Sequence, residues 1–202
     1  MVHLVCFGDS LTAGWDGQKE TPRLTCRLEK GLGLSVRNAG VPGETTRQAL
    51  KRLVPDVLSQ RAPFVTVLFG SNDASFHKGI PIDEFTDNLR KICGTINETH
   101  LLLLTPPPVI ESRQIGKRTN ARIDHYVSAI DAVARALSID LADFHQLMLE
   151  QKDYSACLLP DGLHLSDKGY DLLAGLIIRH LKPLISINKN RETSKDISDE
   201  RG

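Results

Sequence analysis

The sequence predicts a three-layer α/β/α sandwich around a mainly parallel five-stranded sheet. Short apolar runs alternate with longer segments whose apolar residues recur at helical spacing. Several of the runs are apolar almost throughout, which is typical of strands buried on both faces. Some of them end abruptly at Gly, Asp, Ser or Asn. Strands that alternate with helices need crossover connections, and these favour a parallel sheet with helices on both sides.

Five segments are predicted to be strands. The first contains Val5 and Phe7 and breaks at Gly8, which can adopt backbone angles closed to other residues. The fourth ends at three consecutive prolines, which cannot donate backbone hydrogen bonds. The predicted strands are residues 3–7, 34–38, 64–69, 101–104 and 139–142.

The segments between the strands are predicted to be helices, because their apolar residues repeat every three to four positions. Pro22 suits an early position in the first of them, where its missing N–H costs little. Ser166 is a favourable N-cap for the last. The predicted helices are residues 22–30, 45–58, 82–98, 119–137, 146–151 and a final one that follows Ser166.

Composition predicts one domain and restricts its partners. The chain has 202 residues and a formal net charge of zero, with lysine and arginine scattered along it. That balance argues against nucleic acid as a partner, and no apolar run approaches the ~20 residues of a membrane span. Residues 1–185 are predicted to form the domain. Residues 186–202 are polar and charged, and we expect a disordered tail there.

The beginning of the chain and its cysteines predict a cytoplasmic location. The first residues lack a basic region and a small-residue cleavage site. The four cysteines show no C-x-x-C spacing and are expected to be buried free thiols in a reducing compartment. No metal site or cofactor is predicted. Composition decides nothing between a monomer and a homodimer.

Ser10 is the first candidate for chemistry. It follows the first predicted strand at a sharp turn, and ligands of parallel α/β sheets collect at the carboxyl ends of strands. A serine exposed there can act as a nucleophile. The alternative is an ordinary strand-to-helix turn, since Gly, Asp and Ser are all common turn residues.

Later loops supply the other groups that acyl transfer by a serine requires. The hydroxyl needs an imidazole to take its proton, the imidazole needs a carboxylate, and the oxyanion needs donors. Asp161 and His164 are three residues apart, and Asn72 and Gly40 follow strands. Each also has a structural alternative: a turn for Asp161, a surface position for His164, a helix cap for Asn72 and special backbone angles for Gly40. Their joint occurrence at strand ends favours chemistry.

Four blocks of the sequence resemble those of the GDSL, or SGNH, hydrolase family. They are Gly-Asp-Ser-Leu-Thr at 8–12, the glycine loop at Gly40, Gly-Ser-Asn-Asp at 70–73 and Asp-Gly-Leu-His at 161–164. The resemblance extends to about residue 184 and implies the flavodoxin-like SGNH hydrolase fold. The first block lacks the final glycine of G-x-S-x-G, so the α/β-hydrolase fold is not predicted.

The same resemblance implies roles for individual residues. Ser10 is expected to be the nucleophile, His164 the base and Asp161 its partner. The Ser10 N–H, the Gly40 N–H and the Asn72 side chain are expected to form the oxyanion hole. Residues 72–75, 80–85 and 103–108 look closest to isoamyl-acetate-hydrolysing esterases, whereas residues 38–46 resemble other small GDSL esterases more.

The predicted function is therefore a serine esterase for small or short-chain, acetate-type carboxylic esters, acting through an acyl-enzyme. Deacetylation, thioester hydrolysis or acyl transfer by the same triad are alternatives. A nucleotide- or phosphate-binding module is a remote one, because neither glycine-rich phosphate motif follows the first strand. Asp9, Trp15 and Pro107 are predicted to contact the small-molecule substrate in an open cleft.

Overall fold

The computed structural model describes residues 2–96 and 99–199. Its five strands form one sheet with the spatial order β2-β1-β3-β4-β5, and every neighbouring pair is parallel. The strands are β1 Leu4–Gly8, β2 Val36–Gly40, β3 Phe64–Leu68, β4 His100–Leu104 and β5 Asp140–Ala142. The predicted parallel sheet and its five strands are confirmed, although β2 begins and ends two residues later than predicted and so includes Gly40.

Helices cover both faces of this sheet. They are α1 Ser10–Ala13, α2 Arg23–Leu32, α3 Thr46–Asp56, α4 Ile82–Thr95, α5 Asn120–Leu137, α6 Phe144–Leu149 and α7 Asp167–Asp199. Successive β1 residues point to opposite cores: Val5 and Phe7 pack with α3, α4 and α5, whereas Leu4 and Cys6 pack with α2, α6 and α7. The predicted three-layer sandwich follows directly from this division.

Strand register brings three loops to the same edge of the sheet. Gly8, the last residue of β1, pairs with Gly40 of β2 and with Leu68 of β3. The three strands therefore end level with one another. The segments that begin at Asp9, Val41 and Phe69 leave the sheet side by side, and these segments contain most of the candidate site.

Two helices begin where the sequence analysis did not place them, because an aspartate caps the N-terminus of each. α1 was not predicted; Asp9 caps it by accepting the Leu11 N–H at 2.9 Å, and Gly14 ends it with φ +80°. α6 begins at Phe144, two residues early, because Asp143 caps it. Ser166 caps α7 as predicted, accepting the Gly169 N–H at 3.3 Å.

The final helix is longer than expected. α7 continues to Asp199, so the backbone of residues 186–199 is helical where a disordered tail was predicted, and residues 200–202 lie outside the described residues. From Ser186 to Asp199 the chain has neither proline nor glycine to end the helix. The division of the chain at residue 185 stays a prediction.

Two further properties bear on the sequence-based expectations. No helix in the described ranges is both long and apolar enough to span a membrane. The four cysteines are free thiols; Cys6, Cys93 and Cys157 are buried as expected, whereas Cys26 is exposed on α2.

Candidate active site

The turn between β1 and α1 holds Ser10 at the carboxyl edge of the sheet. A side chain at Gly8 would place its Cβ 2.1 Å from Thr12 Oγ1 and 2.6 Å from the Leu68 carbonyl oxygen, so the turn requires glycine. Because Asp9 caps α1, the serine that follows it is fixed at the start of the helix. Ser10 is only 6% exposed.

His164 and Asp161 meet Ser10 in one continuous arrangement. His164 Nε2 lies 3.1 Å from Ser10 Oγ, and His164 Nδ1 lies 2.5 Å from Asp161 Oδ2. Asp161 Oδ1 accepts the backbone N–H groups of Leu163 at 2.9 Å and His164 at 3.0 Å. The structure thus brings together the three residues predicted as a triad, although Ser10 and His164 are 154 positions apart along the chain.

Electrostatics favour the protonation states that this arrangement needs. Partial burial by itself raises the pKa of Asp161, but hydrogen bonds from the His164 ring and from the Leu163 and His164 N–H groups outweigh it and lower the pKa. The carboxylate is therefore ionised at neutral pH. A carboxylate at Nδ1 favours the tautomer with a proton there, which leaves the Nε2 lone pair facing Ser10.

The loop that carries Asp161 is tied to the segment after β4. Gly162 has φ +72°, and a Cβ there would lie 2.9 Å from Ile110 Cβ. The Ile110 N–H donates to the Gly162 carbonyl oxygen at 2.9 Å. The Leu159 N–H donates to the His164 carbonyl oxygen at 2.7 Å, so the loop closes on itself.

Gly40 has a packing role rather than the predicted oxyanion role. Its N–H donates to Asn38 Oδ1 at 2.9 Å, and the next N–H, of Val41, donates to the Gly8 carbonyl oxygen. Because successive strand N–H groups point in opposite directions, the Gly40 N–H faces the free edge of the sheet. A Cβ at Gly40 would lie 2.2 Å from the Ala13 nitrogen. The glycine is needed there for close packing of β2 against α1.

The turn after β2 brings a different glycine towards Asn72. The Glu44 N–H donates to the Val41 carbonyl oxygen at 3.3 Å, and Gly43 has φ +79°, as the third residue of a type II turn requires. Asn72 Nδ2 donates to the Glu44 carbonyl oxygen at 3.0 Å. Across the described ranges the Gly43 N–H makes no hydrogen bond. The Pro42-Gly43 pair was the sequence signal for this turn.

Asn72 is held on both ends of its carboxamide. Nδ2 also lies 3.2 Å from Asp9 Oδ2, and Oδ1 accepts a hydrogen bond from Arg118 Nη2 at 2.9 Å. The residue is 8% exposed. Asn72 therefore lies beside both the Ser10 turn and the Gly43 turn.

Asp9 is buried under the candidate site and bonds to Leu11 and Asn72. The prediction that Asp9 contacts substrate is therefore corrected. Its side chain is buried, with 1% of the residue exposed, and both oxygens are occupied by Leu11 and Asn72. Burial raises the pKa of Asp9 to about 7, a shift that the Leu11 N–H opposes and nearby Asp73 reinforces. The carboxyl thus organises two loops and is hidden from a ligand.

Two charged residues that the sequence pattern did not single out, the buried Asp73 and the half-buried Arg52, anchor the same loops. Asp73 accepts the Thr46 N–H at 2.8 Å and the Thr46 hydroxyl at 2.7 Å. Arg52 donates to the carbonyl oxygens of Gly8 at 3.0 Å and Ala39 at 2.8 Å. Arg52 occupies a polar position on an amphipathic helix, and such positions ordinarily face solvent, so no local signal distinguished it.

Of the residues predicted to line the cleft, Trp15 lies beside the triad. Its ring centroid is 6.3 Å from that of His164, and the residue is half-buried. Pro107 lies in the buried segment 102–109, and its contact with substrate stays a prediction. Among the described residues, no group of three or more His, Cys, Asp or Glu side chains is placed to hold a metal ion.

Comparison with known proteins identifies the family. The model of the GDSL-like lipase/acylhydrolase family matches residues 6–172, which carry all three residues of the arrangement. The chain belongs to this family. Its relatives are named as esterases, and the chain is accordingly a GDSL-type carboxylic ester hydrolase.

Individual relatives cover nearly the whole chain. The human isoamyl acetate-hydrolyzing esterase 1 homolog is 32% identical over 90% of this chain and 80% of its own length. A GDSL esterase/lipase of Arabidopsis thaliana is 30% identical over 87% of this chain and 84% of its own length. The crystal structure of an Enterococcus faecalis lipase/acylhydrolase superposes with a TM-score of 0.86 at 34% identity, over 91% of this chain and 96% of that one.

Proposed function

We propose that this GDSL-type enzyme hydrolyses short-chain, acetate-type esters through an acyl-enzyme, with Ser10 as nucleophile, His164 as base and Asp161 as its partner. The continuous contact from Asp161 through His164 to Ser10, at 2.5 and 3.1 Å, carries the proposal. Such spacing permits proton transfer from the serine hydroxyl to the imidazole.

In the first half of the reaction Ser10 Oγ attacks the ester carbonyl carbon, and its proton passes to His164 Nε2. Asp161 stabilises the resulting imidazolium. The tetrahedral intermediate then collapses as the carbon–oxygen bond to the leaving alcohol breaks, and His164 donates its proton to that alcohol. The acyl group remains on Ser10.

In the second half a water molecule attacks the acyl carbon while His164 takes one of its protons. Collapse of this second intermediate breaks the bond to Ser10 Oγ, returns the proton to the serine and releases the carboxylic acid. The enzyme's own groups thus account for every proton that moves, and the sequence of steps requires no external oxidant or reductant.

The oxyanion of both intermediates is proposed to bind three donors: the Ser10 N–H, the Gly43 N–H and Asn72 Nδ2. The first two N–H groups make no hydrogen bond within the described ranges, so they are free to donate. Asn72 Nδ2 contacts Asp9 at 3.2 Å, a long bond that an oxyanion can replace. Each such donor is typically worth about 10²–10³ in kcat.

Two observations support a small acyl group. Trp15 lies next to His164, with the two ring centroids 6.3 Å apart, and we infer that its ring limits the space for the acyl group. The human relative that matches 90% of this chain is named for hydrolysis of isoamyl acetate, an ester of a two-carbon acid.

The test is hydrolysis of p-nitrophenyl esters from acetate to laurate, and of isoamyl acetate, by the wild type and by Ser10→Ala. We expect serine-dependent kcat/KM to be highest for acetate and to fall as the acyl chain lengthens. A rise with chain length would contradict the substrate class and leave the triad intact. Equal activity of Ser10→Ala would contradict the mechanism, provided its circular dichroism matches the wild type.

A further inference from the structure

A chain of hydrogen bonds, partly buried at Asp161 and buried beyond it, joins the loop of Asp161 to Asn72 without using any side chain of the triad. Gln114 Nε2 donates to the Asp161 carbonyl oxygen at 2.8 Å, and Arg118 Nη1 donates to Gln114 Oε1 at 3.0 Å. Arg118 Nη2 then donates to Asn72 Oδ1 at 2.9 Å, and its Nε donates to the Ser71 carbonyl oxygen at 2.7 Å. We call Gln114 and Arg118 the loop relay.

The burial of the loop relay is unusual for such side chains. Gln114 is 4% exposed and Arg118 is 8% exposed. Arginine is almost never buried unless it is paired, yet the hydrogen bonds of Arg118 among the described residues all end on neutral oxygens. Burial lowers the pKa of Arg118, and the charges of Asp9 and Asp161 oppose that shift. The guanidinium stays protonated at neutral pH, because its ordinary pKa is so high.

We propose that Arg118 is a positioning residue that orients the Asn72 carboxamide for the oxyanion. The two ends of a carboxamide are nearly equal in size, so hydrogen bonds decide which end faces which side. A guanidinium can only donate, so it requires Oδ1 on its own side. Nδ2 is thereby turned towards Glu44 and Asp9, on the side of Ser10. The inference rests on the proposed ester hydrolysis.

The charge of Arg118 adds to this effect. Asn72 lies between the buried Asp9 carboxyl and the Arg118 guanidinium. When Asp9 is ionised, its negative charge opposes the formation of an oxyanion nearby, and a fixed positive charge on the other side of the amide offsets it. Without Arg118, Oδ1 becomes a buried acceptor with no donor, and the amide is free to rotate.

The loop relay is tested with Arg118→Met, Arg118→Lys and the control Arg135→Met. Among the residues that the structure describes, Arg135 forms an ion pair only with Asp131, on the surface of α5. We expect Arg118→Met to lower kcat by about 10²-fold, the size of one lost oxyanion donor, with KM changed less than about threefold. Arg118→Lys restores the charge and should recover part of that loss. Arg135→Met should match the wild type.

Double variants separate positioning from a general structural effect. If Arg118 acts through Asn72, the kcat of Asn72→Ala/Arg118→Met should lie within about threefold of Asn72→Ala alone. Losses that multiply in the double variant would overturn the proposal. If Arg118→Met fails to fold by circular dichroism, the cycle of Asn72→Ala with Arg118→Lys is read in the same way.

Failure of the inference can be distinguished from failure of the proposed function. If the wild type hydrolyses esters but the kcat losses of Asn72→Ala and Arg118→Met multiply in the double variant, only the positioning role of Arg118 is overturned. A wild type without Ser10-dependent ester turnover overturns the proposed function and the inference together.

Discussion

Replacing Gly40 by alanine tests whether close packing of β2 against α1 positions the nucleophile. The added Cβ would lie 2.2 Å from the Ala13 nitrogen, 2.7 Å from Ala13 Cα and 2.8 Å from the Asp9 carbonyl oxygen. All three are backbone atoms, and the Ala13 N–H is itself bonded to the Asp9 carbonyl oxygen at 2.9 Å. No side-chain rotation can relieve the contact, so α1 must move.

The size of the movement follows from these distances. Ordinary contacts of a Cβ begin at 3.4 Å, so the helix must separate from β2 by more than 1 Å at Ala13. Overpacking of this kind costs about 1–3 kcal/mol of stability. Because Ser10 begins the same short helix, its Oγ moves with it and the 3.1 Å contact to His164 is lost. A misplacement of about 1 Å costs about 10²-fold in rate.

The assay measures stability and turnover together. Gly33→Ala is the matched control: Gly33 has φ +66° at the end of α2, and its Cβ would meet nothing within 4 Å. The left-handed backbone makes that variant about 1–2 kcal/mol less stable, without touching the site. In urea unfolding both variants should lose stability, whereas with p-nitrophenyl acetate only Gly40→Ala should lose kcat/KM. A fully active Gly40→Ala would refute the reasoning.

Three more predictions concern the carboxyls and the arginine beneath the loops. Asp161→Asn should lower kcat by up to about 10⁴-fold, because an amide no longer favours the His164 tautomer that accepts the serine proton. Folded Asp9 keeps its proton up to about pH 7, whereas the unfolded chain loses it near its ordinary pKa of about 4. Wild-type stability should therefore fall by about 4 kcal/mol relative to Asp9→Asn between about pH 4 and pH 8, measured by urea unfolding. Arg52→Met should lower the free energy of unfolding by about 3 kcal/mol, because it removes the ion pair of the partly buried Glu44 carboxylate.

Each of these predictions has a contradicting outcome. An Asp161→Asn variant within tenfold of the wild type would show that the carboxylate does not set the tautomer. Parallel pH profiles of stability for the wild type and Asp9→Asn would mean that Asp9 titrates alike in both states. An Arg52→Met variant less than about 1 kcal/mol below the wild type would show that the bonds to Gly8 and Ala39 are dispensable.

Local pattern was sufficient for the five strands, for all the helices except the short α1, and for proposing the three residues of the triad. A continuous apolar run such as β3 reflects burial on both faces of a strand. The helical periodicity of α3 reflects burial on one face of a helix. Ser10 was identifiable because it follows a strand that ends at glycine. Asp161 and His164 were identifiable because a side chain and its partner three residues away can meet within one turn.

The proposed oxyanion donors were harder to predict, because a backbone N–H carries no residue-specific signature. Gly40 and Gly43 are three residues apart, and the sequence alone allows either to supply a donor. The direction of each N–H depends on strand pairing and turn type. The Val41 bond to Gly8 turns Gly40 outward, and the type II turn leaves the Gly43 N–H unbonded.

The sequence by itself determined the order of the strands and of the helices other than α1, the parallel sheet and the chemical groups available at its carboxyl edge, because these depend on local spacing and burial pattern. Tertiary structure alone decided which backbone N–H groups are free, that Asp9 is hidden, and that Arg118 reaches Asn72 while Gln114 reaches the Asp161 carbonyl oxygen. Arg118 is 46 residues from Asn72 along the chain. Contacts of that range depend on how loops from different strands pack, and no periodicity in the chain encodes them.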